Sequence, residues 1–346
     1  MGYDYEIQYR QGKENLAADG LSRVFSAQLL TMALSTISSP LLDAIKASWV
    51  QDPHLQSLIQ ALEAGQPRPH YTWQQGILYR KGKVMVGNDP TLKQQLLQVF
   101  HDSAVGGHSG REVTKKKLGS VLYWKGLNKD VRNYVRACVI CQRNKPDLAA
   151  PAGLLQPLPI PNTIWEDISM DFIEGLPKSR GKDVILVVVD RLSKYAHFLA
   201  LSHPFTAAMV AQLYFEHIFK LHGLPKTIVS DRDRIFLSKF WQELFSLLKV
   251  SLHLSSAYHP QSDGQTEVIN RCLEGYLRCM TGEKPAEWML WLPLAEWWYN
   301  TNWHSSIGVT PFEVIYGQPP PLHIPYLPGD SRVEACLLYT SDAADE

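Results

Sequence analysis

Val184-Ile-Leu-Val-Val-Val-Asp190 is an apolar run with no polar interruption before its closing acid. Such a run is typical of a strand buried on both faces, because a strand with one wet face alternates. On its N-terminal side Trp165 to Phe172 does alternate, and on its C-terminal side Ala196 to Leu201 can pair as a third strand. Thr227-Ile-Val-Ser230 is another short buried strand. Between and beyond these the apolar period is helical, over Phe205 to Leu221, Ser238 to Leu248, Gln265 to Met280 and Leu294 to Trp303. His222-Gly223 and Pro225 stop the first of these helices. Strands first, then strands alternating with helices, predict an α/β domain with a mixed sheet over residues 164–320.

Upstream of that domain Pro146, Pro151, Pro157, Pro159 and Pro161 crowd a span that can be neither helix nor central strand, so 148–163 reads as a linker. Before it, Asn88-Asp89-Pro90 offers an N-cap with proline at the first helical position, opening a helix to about His101, and helical segments follow through Asn144. Residues 85–147 are therefore expected to form a small helical unit. Ile77 to Val86, turning at Lys81-Gly82, reads as a hairpin, and Val24 to Pro69 is mostly helical and amphipathic, with a start signal at Ser38-Ser39-Pro40 and a break at Gly65-Gln66-Pro67. Together 24–84 is expected to be a helical connector and hairpin. The strand-like Tyr3 to Tyr9 and the short helical run to Arg23 cannot bury a core alone, so 1–23 reads as the tail of another domain.

The chain has 346 residues, 45% apolar and 20% charged, which is ordinary for a globular protein. No apolar run approaches the ~18 residues a bilayer span needs, and no basic region followed by an apolar stretch opens the chain. Neither a membrane helix nor a secretory signal is visible, and a cytosolic or nuclear setting is expected. Lys plus Arg equals Asp plus Glu at 34 each, but the balance is local. Between His101 and Ala150 ten basic residues, Lys115, Lys116 and Lys117 among them, face four acids, a surplus of +6 suited to phosphate. Five cysteines form no disulfide framework. Cys272 and Cys279 read as buried thiols on a helix face, and Trp124 as core packing.

Two constellations carry chemistry. His101, His108, Cys138 and Cys141 form H-x6-H and C-x2-C pairs, the ligand types and spacing of a tetrahedral Zn²⁺. Four protein ligands leave no open position, so the ion is structural, stapling a unit with little core of its own. Asp171 lies in a predicted strand, Asp231 follows another, and Glu267 opens a helix. Carboxylates so placed can converge on one sheet edge and hold Mg²⁺ or Mn²⁺ for phosphoryl displacement. The polar loop Tyr258 to Thr266 leads into Glu267, and Asn270 and Arg271 share its helix face. Tyr258, Gln261, Asn270, Arg271 and the three lysines are the candidate DNA contacts.

The histidine/cysteine array, Ser169-Met-Asp-Phe172, Val229-Ser-Asp-Arg-Asp233 and Tyr258-His-Pro-Gln-Ser-Asp-Gly-Gln-Thr-Glu267, in this order, resemble the integrase of Gypsy-type LTR retrotransposons. Thirty-five residues separate Asp231 from Glu267, as in the family's D,D-35-E pattern. Tyr299-Asn300 and Thr310-Pro-Phe-Glu-Val-Ile-Tyr-Gly317 extend the resemblance to about residues 75–320. It implies a ribonuclease-H-like core with a mixed five-stranded sheet behind a helical HHCC zinc domain. It further implies Asp171, Asp231 and Glu267 as metal ligands, 3′-end processing of element DNA and joining of those ends to target DNA. A homo-oligomer working in the nucleus, with a virus-like particle stage in the cytoplasm, belongs to the same expectation.

Tyr9-Arg-Gln-Gly-Lys-Glu-Asn15 to Arg23 is similar to the end of the ribonuclease H domain that precedes integrase in such polyproteins, with Asp19 matching its last acid. The family continues past the Tyr-Gly-x-Pro-Pro segment into a C-terminal DNA-binding domain, of which 321–335 is expected to be the start. Cys336 to Glu346 resembles translated sequencing adapter and is excluded from fold reasoning. Two other readings compete. An inactive or domesticated DNA- or protein-binding descendant predicts damaged acids, and none is visible; another nuclease on the same fold has no need of a zinc unit.

Overall fold

The structure, a computed structural model, describes residues 39–145, 161–230, 235–254 and 264–321. The expected 1–23 remnant, most of the linker, Asp231, the Tyr258 to Asp263 loop and the C-terminal tail lie outside the described residues.

The N-terminal part begins with α1 (Ser39–Val50) and α2 (Pro53–Glu63). Asp52 caps α2 by accepting from the amides of His54 and Leu55, with Pro53 in the first turn where its missing N–H costs nothing. Next come β1 (Tyr71–Gln74), β2 (Ile77–Arg80) and β3 (Lys83–Met85). Both hairpin turns, Gln75-Gly76 and Lys81-Gly82, hold two consecutive positive φ values, the twist-matched geometry of a two-residue hairpin. The helix opened by Asp89 follows the sequence reading: α3 (Pro90–His101), with the Asp89 carboxylate accepting from Thr91 and Leu92. After it come α4 (Arg111–Val121), β4 (Leu122–Tyr123), α5 (Leu127–Ala137) and α6 (Val139–Asn144).

One expectation is corrected here. Residues 84 and 85 are not a packing boundary between a connector and a zinc unit, because both share one core. Leu41, Ile45 and Trp49 of α1 cluster with Leu78 and Val84 of the hairpin and with Leu96, Leu118, Trp124 and Val131 of the helical unit. Sheet pairing crosses the expected boundary too, since β4 runs parallel to β3 with Val84 opposite Leu122. Trp49 Nε1 donates to the Met85 carbonyl (2.7 Å), and the Gly87 amide donates to Ser48 Oγ (2.9 Å). A Cβ on Gly87 would fall 2.3 Å from the Ser48 carbonyl oxygen, so only glycine lets the two segments meet. The physical reason is size: the helices after residue 85 cannot bury their own apolar stripes and borrow the hairpin and α1 as the other half of the core.

The second part is the α/β domain. β5 (Asp167–Ile173), β6 (Val184–Asp190) and β7 (Ala196–Leu201) form an antiparallel meander, and β8 (Thr227–Ser230) and β9 (Ser251–Leu254) add parallel strands on the other side. The sheet order is β7-β6-β5-β8-β9. Every residue of β6 is buried, as its unbroken apolar run requires. Its alternate residues serve two cores: Val184, Leu186 and Val188 join Met170, Tyr214, Trp241 and Phe245 on one face, while Ile185, Val187 and Val189 join Ile269, Leu273, Trp288 and Leu292 on the other.

The first core is closed by α7 (Ala207–Tyr214), which runs on through a π-helical turn at Phe215–Phe219, and by α8 (Lys239–Leu247). The second is closed by α9 (Gly264–Thr281) and α10 (Trp288–Thr301), with α11 (Pro311–Tyr316) beyond. The last helix has a full capping box between Thr310 and Glu313. Where a helix was expected from Leu294, α10 starts at Trp288 and carries Pro293 inside it. Burial of Trp288, Leu292, Ala295 and Trp298 along one face outweighs the lost hydrogen bond. α10 also covers the free edge of β7. Asn300 Oδ1 accepts from the Ala196 amide (2.9 Å) and its Nδ2 donates to the Ala196 carbonyl (2.8 Å), while Glu296 Oε2 accepts from the Phe198 amide (2.8 Å). The side chains thus do what a further strand would do.

Candidate metal centre and acidic site

The last residue of α3 is His101, fully buried, and a tight loop brings His108 back beside it, the His108 amide donating to the His101 carbonyl (2.7 Å). Cys138 sits at the junction of α5 and α6, and Cys141 lies one turn later in α6. The four donor atoms all lie within 4.8 Å of one another. Cys141 Sγ stands 3.4 Å from His101 Nε2 and 3.8 Å from His108 Nδ1, and Cys138 Sγ stands 3.4 Å from His108 Nδ1. A tetrahedron built on Zn–S of about 2.3 Å and Zn–N of about 2.05 Å has N···S edges of about 3.5 Å, so the spacing fits the ion.

The electrostatics agree with the geometry. Burial, helped by His108 and Lys145, pulls the His101 imidazole down to about 3, and burial with Lys145 pulls His108 down to about 4. Both rings are neutral near pH 7 and have a lone pair to give. Burial pushes the Cys141 thiol up to about 12, so its thiolate needs a cation beside it. Thr114 Oγ1 lies 3.5 Å from His101 Nδ1, while Tyr134 Oη donates to Asp102 (2.6 Å) just below the cluster. Such partners orient ligands from behind.

In the α/β domain Asp171 sits in β5, half-buried, with one carboxylate oxygen accepting from the Phe172 amide (2.8 Å) and the other from Asn270 Nδ2 (2.7 Å). Glu267, in the first turn of α9, is exposed and pairs with Arg271 (3.2 Å). The start of α9 is tied to β5 by a buried hydrogen bond from Thr266 Oγ1 to Ser169 Oγ (3.0 Å). The β5–β8 register ends with Met170 opposite Ser230, the residues immediately before Asp171 and Asp231. Asp231 itself, like Tyr258 and Gln261, lies outside the described residues.

Asn270 and Arg271, both expected at DNA, are bonded to Asp171 and Glu267 respectively. The lysines are each engaged by protein. Lys115 pairs with Glu112, and Lys116 places its ammonium 3.1 Å from the Trp303 ring centroid. Lys117 is turned inward to the Val105 carbonyl (2.6 Å), where burial pulls it to about 7. A basic run on a helix cannot face one way, and at 100° per residue the third lysine meets the protein. Trp124 is core as expected, its Nε1 donating to Asp130 (2.8 Å). Cys279 is buried, whereas Cys272, two turns earlier on the same face of α9, is exposed.

Two arrangements were not read from the sequence. Trp298, buried in the core behind β6, is also a bridge to the loop that carries His108. On the opposite side of the domain, Glu296, His197 and His222 form a chain, Oε1 to Nδ1 at 3.0 Å and Nε2 to Nε2 at 2.9 Å, with His222 stacked 3.7 Å from Trp165. Burial and His197 pull His222 down to about 4.

The sequence matches two families: one described as integrase zinc binding domain over residues 88–147, the other as integrase core domain over 159–260. Among curated proteins, the Transposon Tf2-3 and Tf2-4 polyproteins of Schizosaccharomyces pombe are each 31% identical over 338 residues, covering 93% of this chain and 25% of the polyprotein. The chain thus spans about a quarter of the length of these relatives. Among solved structures, the simian T-cell lymphotropic virus intasome in complex with PP2A regulatory subunit B56 gamma matches at 19% identity and a TM-score of 0.41, over 63% of this chain and 74% of that one. The HTLV-2 integrase catalytic core domain in complex with magnesium, a trimeric form, matches at 18% identity and 0.36, over 43% and 95%.

Proposed function

We propose that this chain, which belongs to the integrases of LTR retrotransposons, processes the 3′ ends of element DNA and joins them to a target duplex. Asp171, Asp231 and Glu267 are its metal-holding acids. The observation that supports this reading is the bond that ties the start of α9, which carries Glu267, to Asp171 in β5. Asp171 lies within β5, one residue past Met170, which pairs with Ser230 at the end of β8, and Asn270, one turn beyond Glu267, is bonded to Asp171. Carboxylate oxygens are the donors hard divalent cations take, and Glu267 is exposed where a DNA backbone can reach it. Mg²⁺ or Mn²⁺ bound there would activate the attacking oxygen and stabilise the leaving one. In the chain's own residues, Asn270 and the Phe172 amide fix the Asp171 carboxylate, and Thr266 fixes the start of the glutamate's helix. The zinc held by His101, His108, Cys138 and Cys141 is structural, since all four positions are protein ligands.

Element ends and target DNA are the substrates in this reading. A homo-oligomer is needed because two ends must be joined together, and the work is done in the nucleus after a particle stage in the cytoplasm. The test is a strand-transfer assay with Mn²⁺ on the full chain, because α1 shares the core of the zinc unit. Labelled DNA ends are expected to become joined to target, and Asp231→Asn and Glu267→Gln are expected to lower joining at least about a hundredfold with unchanged circular dichroism. Joining that persists in both variants would overturn the assignment of the acids.

A further inference from the structure

Residues 102–107 form a short loop whose two ends are metal ligands, His101 and His108. The outer side of that loop is the surface on which the α/β domain sits. Tyr276 Oη of α9 donates to the Ala104 carbonyl (2.9 Å), and Trp298 Nε1 of α10 donates to the Gly106 carbonyl (3.1 Å) and to Ser109 Oγ (2.9 Å). Ser109 Oγ in turn donates to the Gly106 carbonyl (2.5 Å), and the Tyr276 and Trp298 rings lie 4.7 Å apart. Both aromatic residues are buried. The fit is close: Gly107, at φ 58°, has no room for a side chain, since a Cβ there would stand 2.3 Å from Trp298 Nε1. Each indole and phenol partner is a backbone carbonyl or a hydroxyl held by the loop's own fold, so what the core recognises is the loop's conformation.

We infer that zinc binding and docking of the zinc unit on the core are one coupled equilibrium, with Trp298 and Tyr276 as the positioning residues that read the metal-closed loop. This rests on the zinc reading given above. Without an ion, the two rings lose the ligand bonds that close the cluster and keep only weaker contacts such as the His108 amide to the His101 carbonyl, so the loop between them regains conformational freedom that docking would have to remove again. With the ion bound that cost is already met, so each event favours the other by the same factor. The consequence reaches the acidic site, because Tyr276 and Glu267 share α9, nine residues and therefore about 14 Å apart along one rigid helix.

The experiment uses the full chain with its zinc content measured. The chain has ten tryptophans, and the Trp298 indole signal in a ¹H–¹⁵N spectrum is assigned by its loss in Trp298→Phe. Removing zinc with a chelator is expected to speed exchange of the Trp298 indole proton with water at least about tenfold, while the Trp241 indole, fully buried in the other core, stays protected. Trp298 protection unchanged after zinc loss would overturn the coupling. So would loss at both indoles, which would make zinc a condition for the whole fold rather than for docking. A chain that binds no zinc at all would instead fail the zinc reading, and the inference with it. From the other side, Tyr276→Phe with Trp298→Phe touches no ligand and is expected to weaken zinc binding at least about fivefold in chelator competition. An unchanged affinity would equally overturn it.

Discussion

Replacing Asn300 by leucine tests whether the edge of the sheet depends on one amide. Asn300 is buried and meets Ala196 with both ends, accepting from its amide at 2.9 Å and donating to its carbonyl at 2.8 Å. Leucine has nearly the same volume, so little is lost in packing, but two buried backbone groups are left without partners. At about 1–3 kcal/mol for each of the two orphaned groups, the cost is about 2–6 kcal/mol. In a domain of this size, at about 2–4 °C per kcal/mol, that lowers Tm by about 4–24 °C. Urea unfolding followed by fluorescence measures it, and a loss below about 0.5 kcal/mol would refute the idea that Asn300 substitutes for a strand. Asn300→Asp separates the two bonds. Ionised, the carboxylate still accepts from the amide but sets its other oxygen against the carbonyl, which raises its folded pKa above the unfolded value. The variant's deficit relative to the parent should therefore be smallest below the unfolded carboxylate pKa of about 3.9 and grow as pH rises through the folded pKa. A deficit independent of pH would refute the bidentate geometry.

Other outcomes follow from the same geometry. Asn270→Ala removes a charge-assisted hydrogen bond to Asp171 and is expected to lower strand transfer about tenfold to a hundredfold and to raise the Mn²⁺ concentration needed; an unaltered metal dependence would speak against it. His222 is held down at about 4 by burial and by His197. Because the unfolded chain binds that proton near pH 6.5 and the folded chain does not, stability should fall as pH drops from about 6.5 to about 4. His222→Gln should flatten that slope in urea unfolding of the zinc-loaded chain, and an equal slope would show the group is not linked to folding. Leu118→Ala, at a fully buried position where α4 meets the hairpin, should cost about 2–5 kcal/mol and lower the melting of the zinc unit. A chain starting at residue 75 lacks α1 and should melt below one starting at residue 39, or aggregate; equal melting would restore the expected boundary at residue 84.

What was legible in the sequence is what depends on residue type and short spacing. The histidine/cysteine cluster belongs here, because C-x2-C and the end of a capped helix place each pair of donors by short spacing. The central strand β6 belongs here too, because seven buried residues leave a run with no polar interruption. What was not legible depends on what packs against a segment. β9 and the two-residue β4 are strands because neighbours with free edges lie beside them. α10 continues through Pro293 because an apolar face repays the broken bond, and Lys117 turns inward because the carbonyl of Val105 is there to receive it.

Trp298 makes the same point for function. By spacing it is a core tryptophan, and it is one, with the indole packed among Tyr276 and the residues behind β6. The same indole carries a donor that must find an acceptor when buried, and in this fold the acceptors belong to the loop between two metal ligands. A residue placed by hydrophobic burial thereby links the loop between His101 and His108 to α9 and α10. The periodicity that puts the ring inside is visible in the chain, but the partner for its single polar atom is set by tertiary contact across nearly two hundred residues of sequence.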